Sequence, residues 1–99
     1  MATFLRTSEF DAWLKALRDP IGKARILARI RAAEAGNFGD AAPVGGGVLE
    51  MRIHVGPGYQ VYFCRRGEVT YLLLCGGDKS SQRRDIRTAK DILDHLEDL

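Results

Sequence analysis

Polar side chains that can transfer protons or bind phosphate alternate with apolar ones along one short segment. Glu50, Arg52 and His54 lie two residues apart within VLEMRIHV, and the residues between them are apolar. A period of two is typical of a strand with one buried and one exposed face, so we expect these three side chains to share the exposed face. A carboxylate, a guanidinium and an imidazole on one surface could carry out general acid–base chemistry beside a phosphate.

The segment YQVYFCR has the same period and predicts a second strand after a glycine-proline-glycine turn. Folding the hairpin about Pro57 puts Gln60 opposite His54 and Tyr62 opposite Arg52. Side chains on neighbouring strands then lie about 5 Å apart.

On this surface Arg52 would hold a phosphate, Tyr62 would stack a base, and His54 and Glu50 would transfer protons. The same pattern is typical of a solvated outer sheet face on which charges form a ladder. Both interpretations stay open on the pattern alone.

A second cluster of basic residues lies in GGDKSSQRRD (76–85), where the last strand leads into the last helix. We expect Gly76-Gly77 to end the strand, and free N–H groups at the start of a helix attract an anion. Lys79, Arg83 and Arg84 add three cations. The spacing of a Walker motif is missing, and a flexible loop with a solvated basic first turn explains the pattern as well.

Composition predicts an ordinary globular chain. It has 99 residues, of which 45% are hydrophobic and 28% charged, so we expect one domain over residues 1–99. No apolar run approaches the roughly 20 residues of a membrane span, and the first ten residues lack a signal-peptide core, so we expect a cytoplasmic location. Cys64 and Cys75 are expected to be reduced thiols. No metal-ligand spacing occurs, so neither a metal nor a cofactor is predicted.

Charge is distributed unevenly along the chain. Residues 1–90 carry a net charge of +6, whereas residues 91–99 carry −4, and eleven of the fifteen basic residues are arginine. Arginine suits phosphates and base edges, so the basic body indicates a nucleic acid or an acidic partner. The basic exterior predicted for the second helix consists of Lys23, Arg25, Arg29 and Arg31.

Helices are predicted at both ends of the chain. Ser8 is expected to cap the first helix, Asp19-Pro20 to end it and begin the second, and Gly36-Asn37 to end the second. Two helices joined by such a corner form a helical hairpin. Ser80 or Ser81 is expected to cap a C-terminal helix. The apolar stripes at helical spacing are Phe10, Trp13, Leu14 and Leu17, then Ile26, Leu27, Ile30 and Ala33, and finally Ile86, Ala89, Leu93 and Leu96.

Strands are predicted between the helical segments, with one more at the start of the chain. A run of strands flanked by helices indicates an α+β fold: an N-terminal helical hairpin packed on one face of a small antiparallel sheet, and a C-terminal helix. The predicted strands are 3–6, 48–55, 59–65 and 69–75, and 37–47 is a loop with a short extended piece near Pro43-Val44.

Three runs resemble the RelE/ParE toxin superfamily when they are taken together. They are FDAWL..L.D...KARI..RI near the start, GPGY in the hairpin and GGDKSSQ..DI near the end. Within the superfamily, the chain is similar to the HigB-like, phage-related addiction module killer proteins. The resemblance covers nearly the whole chain, and the order and spacing of the runs are specific, whereas GPGY or GGDK alone would be weak.

The resemblance implies a helical hairpin on an antiparallel sheet followed by a C-terminal helix. RelE-like and HigB-like members are toxins of type II toxin–antitoxin systems that cleave mRNA in the ribosomal A site without a metal. ParE-like members instead inhibit DNA gyrase and are not enzymes. Both kinds are neutralised by an antitoxin, which for this group is a small helix-turn-helix protein from the same operon.

Site residues carried over from the family match only in part. Arg52 and Lys79 fit the basic positions before the hairpin turn and after the last strand. Gln60 stands where the family often has arginine, and Asp85 stands where RelE-like sites place a tyrosine. Some HigB-like members use histidine and aspartate, so His54 and Asp85 are candidates for proton transfer.

The leading hypothesis is therefore a ribosome-dependent mRNA endonuclease, and the alternative is a non-enzymatic gyrase inhibitor. A degenerate toxin that only binds RNA or its partner is a third hypothesis, which Gln60 favours. The candidate catalytic residues are Arg52, His54, Lys79, Glu50 and Asp85, and the candidate RNA-binding residues are Gln60, Tyr62, Arg83 and Arg84.

Overall fold

The computed structural model describes residues 1–97 as five strands, three α-helices and one 3₁₀ turn. Within these residues, every helix is too short or too polar to span a lipid bilayer. The elements are β1 (Thr3–Arg6), α1 (Ser8–Ala16), α2 (Pro20–Glu34), β2 (Ala41–Gly45), β3 (Val48–Ile53), β4 (Tyr59–Arg65), β5 (Thr70–Asp78), the 3₁₀ turn (Lys79–Ser81) and α3 (Gln82–Glu97).

The strands form one sheet in the order β1-β5-β4-β3-β2. The predicted antiparallel arrangement of β3, β4 and β5 is confirmed, and β2 adds an antiparallel edge strand within the segment predicted to be mostly loop. The expectation of a purely antiparallel sheet is wrong, because β1 pairs in parallel with β5 at the other edge. The fold is α+β with a mixed sheet.

The two N-terminal helices begin at capping side chains. Thr7, rather than the predicted Ser8, caps α1: its hydroxyl accepts from the Phe10 amide at 3.0 Å. Asp19 caps α2 as predicted and accepts from the Gly22 amide at 3.0 Å, with Pro20 in the first helical position. Asp19 also accepts a hydrogen bond from the Tyr59 hydroxyl at 2.5 Å. This bond raises the pKa of Tyr59 to about 12 and connects the start of α2 to the GPGY turn.

Helices cover both faces of the sheet, which corrects the expectation that they lie against one face only. The two cores are separated by the sheet, so side chains that alternate along a strand enter different cores. The core under α1 and α2 contains Phe10, Leu14, Ile26, Ile30, Ala33, Met51, Ile53, Tyr59, Val61, Phe63 and Leu73. The core under α3 contains Val48, Tyr62, Cys64, Leu74, Cys75, Ala89 and Leu93.

Strand β5 continues through Gly76-Gly77, where the sequence predicted its end. Both glycines are places where another element comes too close for a side chain. A Cβ on Gly76 would lie 2.4 Å from the Trp13 ring, and one on Gly77 would lie 1.8 Å from the Asp85 carboxylate. The two glycines therefore allow α1 and α3 to pack closely on opposite faces of the same strand.

Replacing Gly76 with alanine is expected to destabilise the domain by about 1–3 kcal/mol, the usual cost of overpacking a core. The added methyl would collide with the indole of Trp13, which is fixed between Phe10 and Tyr59. Urea unfolding measures the change. Gly67→Ala is the control, because the nearest atom to its Cβ is 3.7 Å away. Equal stability of the two variants would contradict this packing.

Candidate functional site

The hairpin between β3 and β4 has a different register from the predicted one. Glu50 pairs with Tyr62, and Arg52 pairs with Gln60. The turn is centred on Gly56 rather than on Pro57, and Gly56 has a positive φ of 55°. The shift moves each pair by two residues and leaves the faces of the strand unchanged, as expected for a period of two.

At the end of β3, two candidate residues share one carboxylate that the sequence did not single out. Asp40 precedes β2, and its Oδ2 lies 2.6 Å from His54 Nε2. Its Oδ1 accepts from Arg52 Nη1 at 3.2 Å. The hydrogen bond from His54, together with the charge of Arg52, lowers the pKa of Asp40. The carboxylate thus orients an exposed imidazole and a half-exposed guanidinium side by side.

The Asp40 contact determines which imidazole nitrogen is available for chemistry. When Nε2–H donates to Asp40, Nδ1 is the nitrogen that can accept or release a proton. The His54 side chain is 67% exposed, so a substrate can reach the imidazole. A carboxylate that orients a histidine in this way is a recurring arrangement for general acid–base catalysis.

Glu50 is buried, which corrects the expectation that it faces solvent. Only 1% of the residue is exposed. Its Oε1 accepts from Arg52 Nε at 3.0 Å, and its Oε2 accepts from Gln82 Nε2 at 2.9 Å. Glu50 raises the pKa of Arg52 and fixes its guanidinium. Glu50 is therefore a positioning residue. Substituting Arg52 would lower the stability of the domain as well as change its surface charge, because the buried Glu50 carboxylate would lose a partner.

Tyr62 and Gln60 are also buried, at 0% and 3% exposure, because the start of α3 covers this part of the sheet. The expectation that Tyr62 stacks a base is therefore wrong, since a ring with no exposed surface cannot contact RNA. Burial and the nearby Glu50 raise the pKa of Tyr62. Among residues 1–97, Gln60 Oε1 has no hydrogen-bond partner.

Lys79 lies on the other side of the hairpin turn. Its backbone amide donates to the Gly58 carbonyl at 3.1 Å, and its aliphatic stem lies against Gly58, where a Cβ would be 3.4 Å from Cδ. Lys79 and Arg83 border a shallow pocket of about 400 Å³. Arg84 is exposed on the same first turn of α3. The hairpin turn between β3 and β4 thus has His54 on its β3 side and these three cations on its β4 side.

The expected anion site at the helix start is not formed by backbone amides. The Asp78 side chain already accepts from the Ser80 amide at 2.9 Å and from the Ser80 hydroxyl. These hydrogen bonds lower the pKa of Asp78. A capping carboxylate at this position disfavours a bound anion, so phosphate binding here depends on the side chains of Lys79, Arg83 and Arg84.

Asp85 does not contact His54. Its Oδ2 accepts from the Ser81 hydroxyl at 2.5 Å, and it lies directly over Gly77. Asp40, rather than Asp85, is the carboxylate partner of the histidine. No local signal in the sequence could have identified Asp40, because it lies fourteen positions before His54, with strands β2 and β3 between them.

Comparison with known proteins identifies a relative of this chain. No family model matches the chain. The chain is similar to an uncharacterized protein of Haemophilus influenzae, with 47% identity over 90 residues that cover 91% of each chain. The chain therefore belongs to the same family as this Haemophilus influenzae protein.

Proposed function

We propose that this protein is the toxin of a type II toxin–antitoxin pair and a metal-independent endonuclease that cleaves mRNA on the ribosome. The proposal includes the assignment of a RelE/ParE-like fold to this chain. Two N-terminal helices on a largely antiparallel sheet, followed by a C-terminal helix, agree with what the resemblance implies. The Haemophilus influenzae relative has no described activity, so the support comes from the motifs and from the geometry around the hairpin turn.

One observation carries the proposal: an exposed imidazole, oriented by a carboxylate, lies next to a guanidinium at the end of a strand. Asp40 contacts both His54 and Arg52. A surface that only binds DNA gyrase needs complementary shape and charge and has no use for an oriented imidazole. A nuclease that acts without a metal needs both a proton-transfer group and a cation.

The proposed reaction is transesterification within the RNA strand. The 2′-oxygen attacks the adjacent phosphorus, the bond from phosphorus to the 5′-oxygen breaks, and a 2′,3′-cyclic phosphate and a 5′-hydroxyl remain. His54 Nδ1 takes the proton from the 2′-hydroxyl, and a proton from solvent completes the leaving hydroxyl. Arg52 neutralises the charge that develops on the phosphoryl oxygens.

Lys79, Arg83 and Arg84 bind neighbouring phosphates in this proposal. They are exposed and lie beyond the turn from His54, which suits a strand that crosses the turn. Burial removes Tyr62 and Gln60 from direct RNA contact, so base stacking in this site must come from the ribosome or from the RNA itself.

The partner in the cell is a helix-turn-helix antitoxin encoded beside the toxin, and the site of action is the cytoplasm. The net charge of +6 on residues 1–90 favours an antitoxin that covers basic surface with acidic side chains.

Induction of the protein in growing cells tests the function. Mapping mRNA 5′ ends by primer extension should show new ends within translated messages soon after induction. Growth arrest with intact mRNA and a loss of DNA supercoiling would favour the gyrase inhibitor. Growth at the normal rate with folded protein and no antitoxin would contradict an active toxin of either kind.

Binding to RNA should weaken with salt, and less steeply in Lys79→Ala. Each phosphate contact releases counterions, so removing one contact lowers the slope of log affinity against log salt by about 0.7 for a single strand. Filter binding or fluorescence anisotropy at several salt concentrations measures the slope. Lys15→Ala is the matched control, because Lys15 is an exposed lysine on α1. Equal slopes in wild type and Lys79→Ala would remove Lys79 from the phosphate contacts.

A further inference from the structure

Arg29 reaches from α2 to the base of the candidate site. The spacing of the basic residues along α2 predicts that Arg29 lies on the exterior of the helix, but its side chain is half-buried. Nη1 donates to the Arg52 carbonyl, and Nη2 donates to the Phe38 carbonyl at 3.0 Å and to the Asp40 carbonyl at 3.3 Å. One guanidinium therefore connects α2, β3 and the segment that carries Asp40.

The segment before β2 is shaped around this guanidinium. Gly39 has a positive φ of 61°, and a Cβ at this position would lie 2.8 Å from Arg29 Nη2. The Arg52 amide donates to the Asp40 carbonyl at 2.9 Å, which continues the pairing of β2 with β3. Arg29 contacts backbone carbonyls on both sides of this hydrogen bond, so it holds the two backbones at a fixed separation.

Arg29 determines where the Asp40 side chain lies and does not neutralise the charge of its carboxylate directly. Its hydrogen bonds go to the Asp40 carbonyl oxygen, whereas the Asp40 carboxylate contacts Arg52 and His54. The planar fork of arginine can donate to several carbonyls at once, and the single ammonium of lysine reproduces this poorly. A shift of the segment would carry the carboxylate away from the imidazole.

We propose that Arg29 is a positioning residue that holds Asp40 against His54 and Arg52. Its effect on catalysis rests on the proposed mRNA cleavage, whereas its effect on the geometry of the site does not. Arg29 touches none of the reacting atoms, so it differs in role from Arg52.

Two variants of Arg29 test the proposal in the full-length protein. Arg29→Met removes all three hydrogen bonds, and Arg29→Lys keeps the charge but loses the fork. Arg25→Met is the matched control, because Arg25 is an exposed arginine one turn earlier on the same helix.

Two measurements report the geometry without any activity. Hydrogen exchange of the Arg52 amide should accelerate by about 10-fold or more in Arg29→Met, while amides that join β4 to β5 keep their protection. The Asp40 carboxyl, followed by NMR, should titrate closer to the ordinary pKa of an aspartate when its contact with His54 loosens. Arg29→Lys should show the same changes to a smaller extent, and Arg25→Met should show neither.

Cleavage kinetics then separate positioning from substrate binding. In Arg29→Met we expect kcat to fall by about 10- to 100-fold, as for a displaced catalytic group, with KM within about twofold of wild type. If wild type cleaves no RNA but Arg29→Met still changes the exchange and the titration, the positioning role stands and the proposed function fails.

Unchanged Arg52 exchange and an unchanged Asp40 titration in Arg29→Met would overturn the positioning role. It would also be overturned if both Arg29 variants lost protection at every amide, since Arg29 would then be required for the whole fold. If only Arg29→Met unfolds, the measurements on Arg29→Lys decide between these outcomes.

Discussion

Replacing His54 with alanine is expected to lower mRNA cleavage by about 10²- to 10⁴-fold, the usual contribution of a general acid or base. The fold should be unaffected, because the side chain is 67% exposed and exposed substitutions usually change stability by less than about 0.5 kcal/mol. The measurement is the rate of cleavage of a ribosome-bound message, together with the thermal unfolding midpoint of each protein.

His95→Ala is the matched control for this experiment. His95 is the second histidine of the chain and is exposed on α3. Its ring Nδ1 lies 3.0 Å from the Asp91 carbonyl oxygen in its own helix. It should cleave as fast as wild type. Full activity in His54→Ala would show that the imidazole transfers no proton and would move the chemistry to the cations around Lys79.

Ile53→Asp is expected to unfold the domain. Ile53 lies between Arg52 and His54 but faces the core under α1 and α2, where it is 3% exposed. The variant loses the burial of an isoleucine, about 2–5 kcal/mol, and places an unpaired carboxylate among apolar side chains. Together these costs approach the total stability of a small domain, about 5–15 kcal/mol. Far-UV circular dichroism and urea unfolding measure the loss.

Leu5→Asp is the control for Ile53→Asp. Leu5 is an aliphatic residue on another strand, β1, and is 53% exposed, so the same change in polarity should cost little there. A folded, cooperative Ile53→Asp would show that the strand faces the opposite way, with Arg52 and His54 turned into the core.

The alternation of β3 allowed its two faces to be predicted from the sequence, but not its register. Met51 and Ile53 face one core as expected. The register depends on where the turn closes, and the positive φ angles of Gly56 and Gly58 determine this. The glycines on either side of Pro57 allow the hairpin to turn at more than one position. The alternation of polar and apolar residues alone does not distinguish these registers.

Burial of the polar face could have been inferred from the last helix. The stripe Ile86, Ala89 and Leu93 needs an apolar surface to cover. The sheet face that receives it carries Cys64 and Leu74 as well as Glu50 and Tyr62. The alternation of β3 and β4 by itself predicts that this face is open to solvent. The apolar stripe of the last helix is the sequence signal that this face is covered.

Asp40 and Arg29 could not be found from the sequence by any local rule. Asp40 lies in a loop between Gly39 and β2, and Arg29 fits the basic exterior of an amphipathic helix. Both act through contacts across the sheet edge, between residues that are far apart in the chain. The parallel pairing of β1 with β5 has no local signal for the same reason, since Thr3 and Thr70 lie 67 positions apart.

The central claim is that the surface around His54 cleaves mRNA on the ribosome. The most direct measurement adds purified protein to ribosomes stalled on a defined message and analyses both ends at each cut. We predict cuts only when ribosomes are present, with a 2′,3′-cyclic phosphate on one fragment and a 5′-hydroxyl on the other, and their loss in His54→Ala. An uncut message in the presence of folded wild-type protein, or equal cutting by His54→Ala, would contradict the claim.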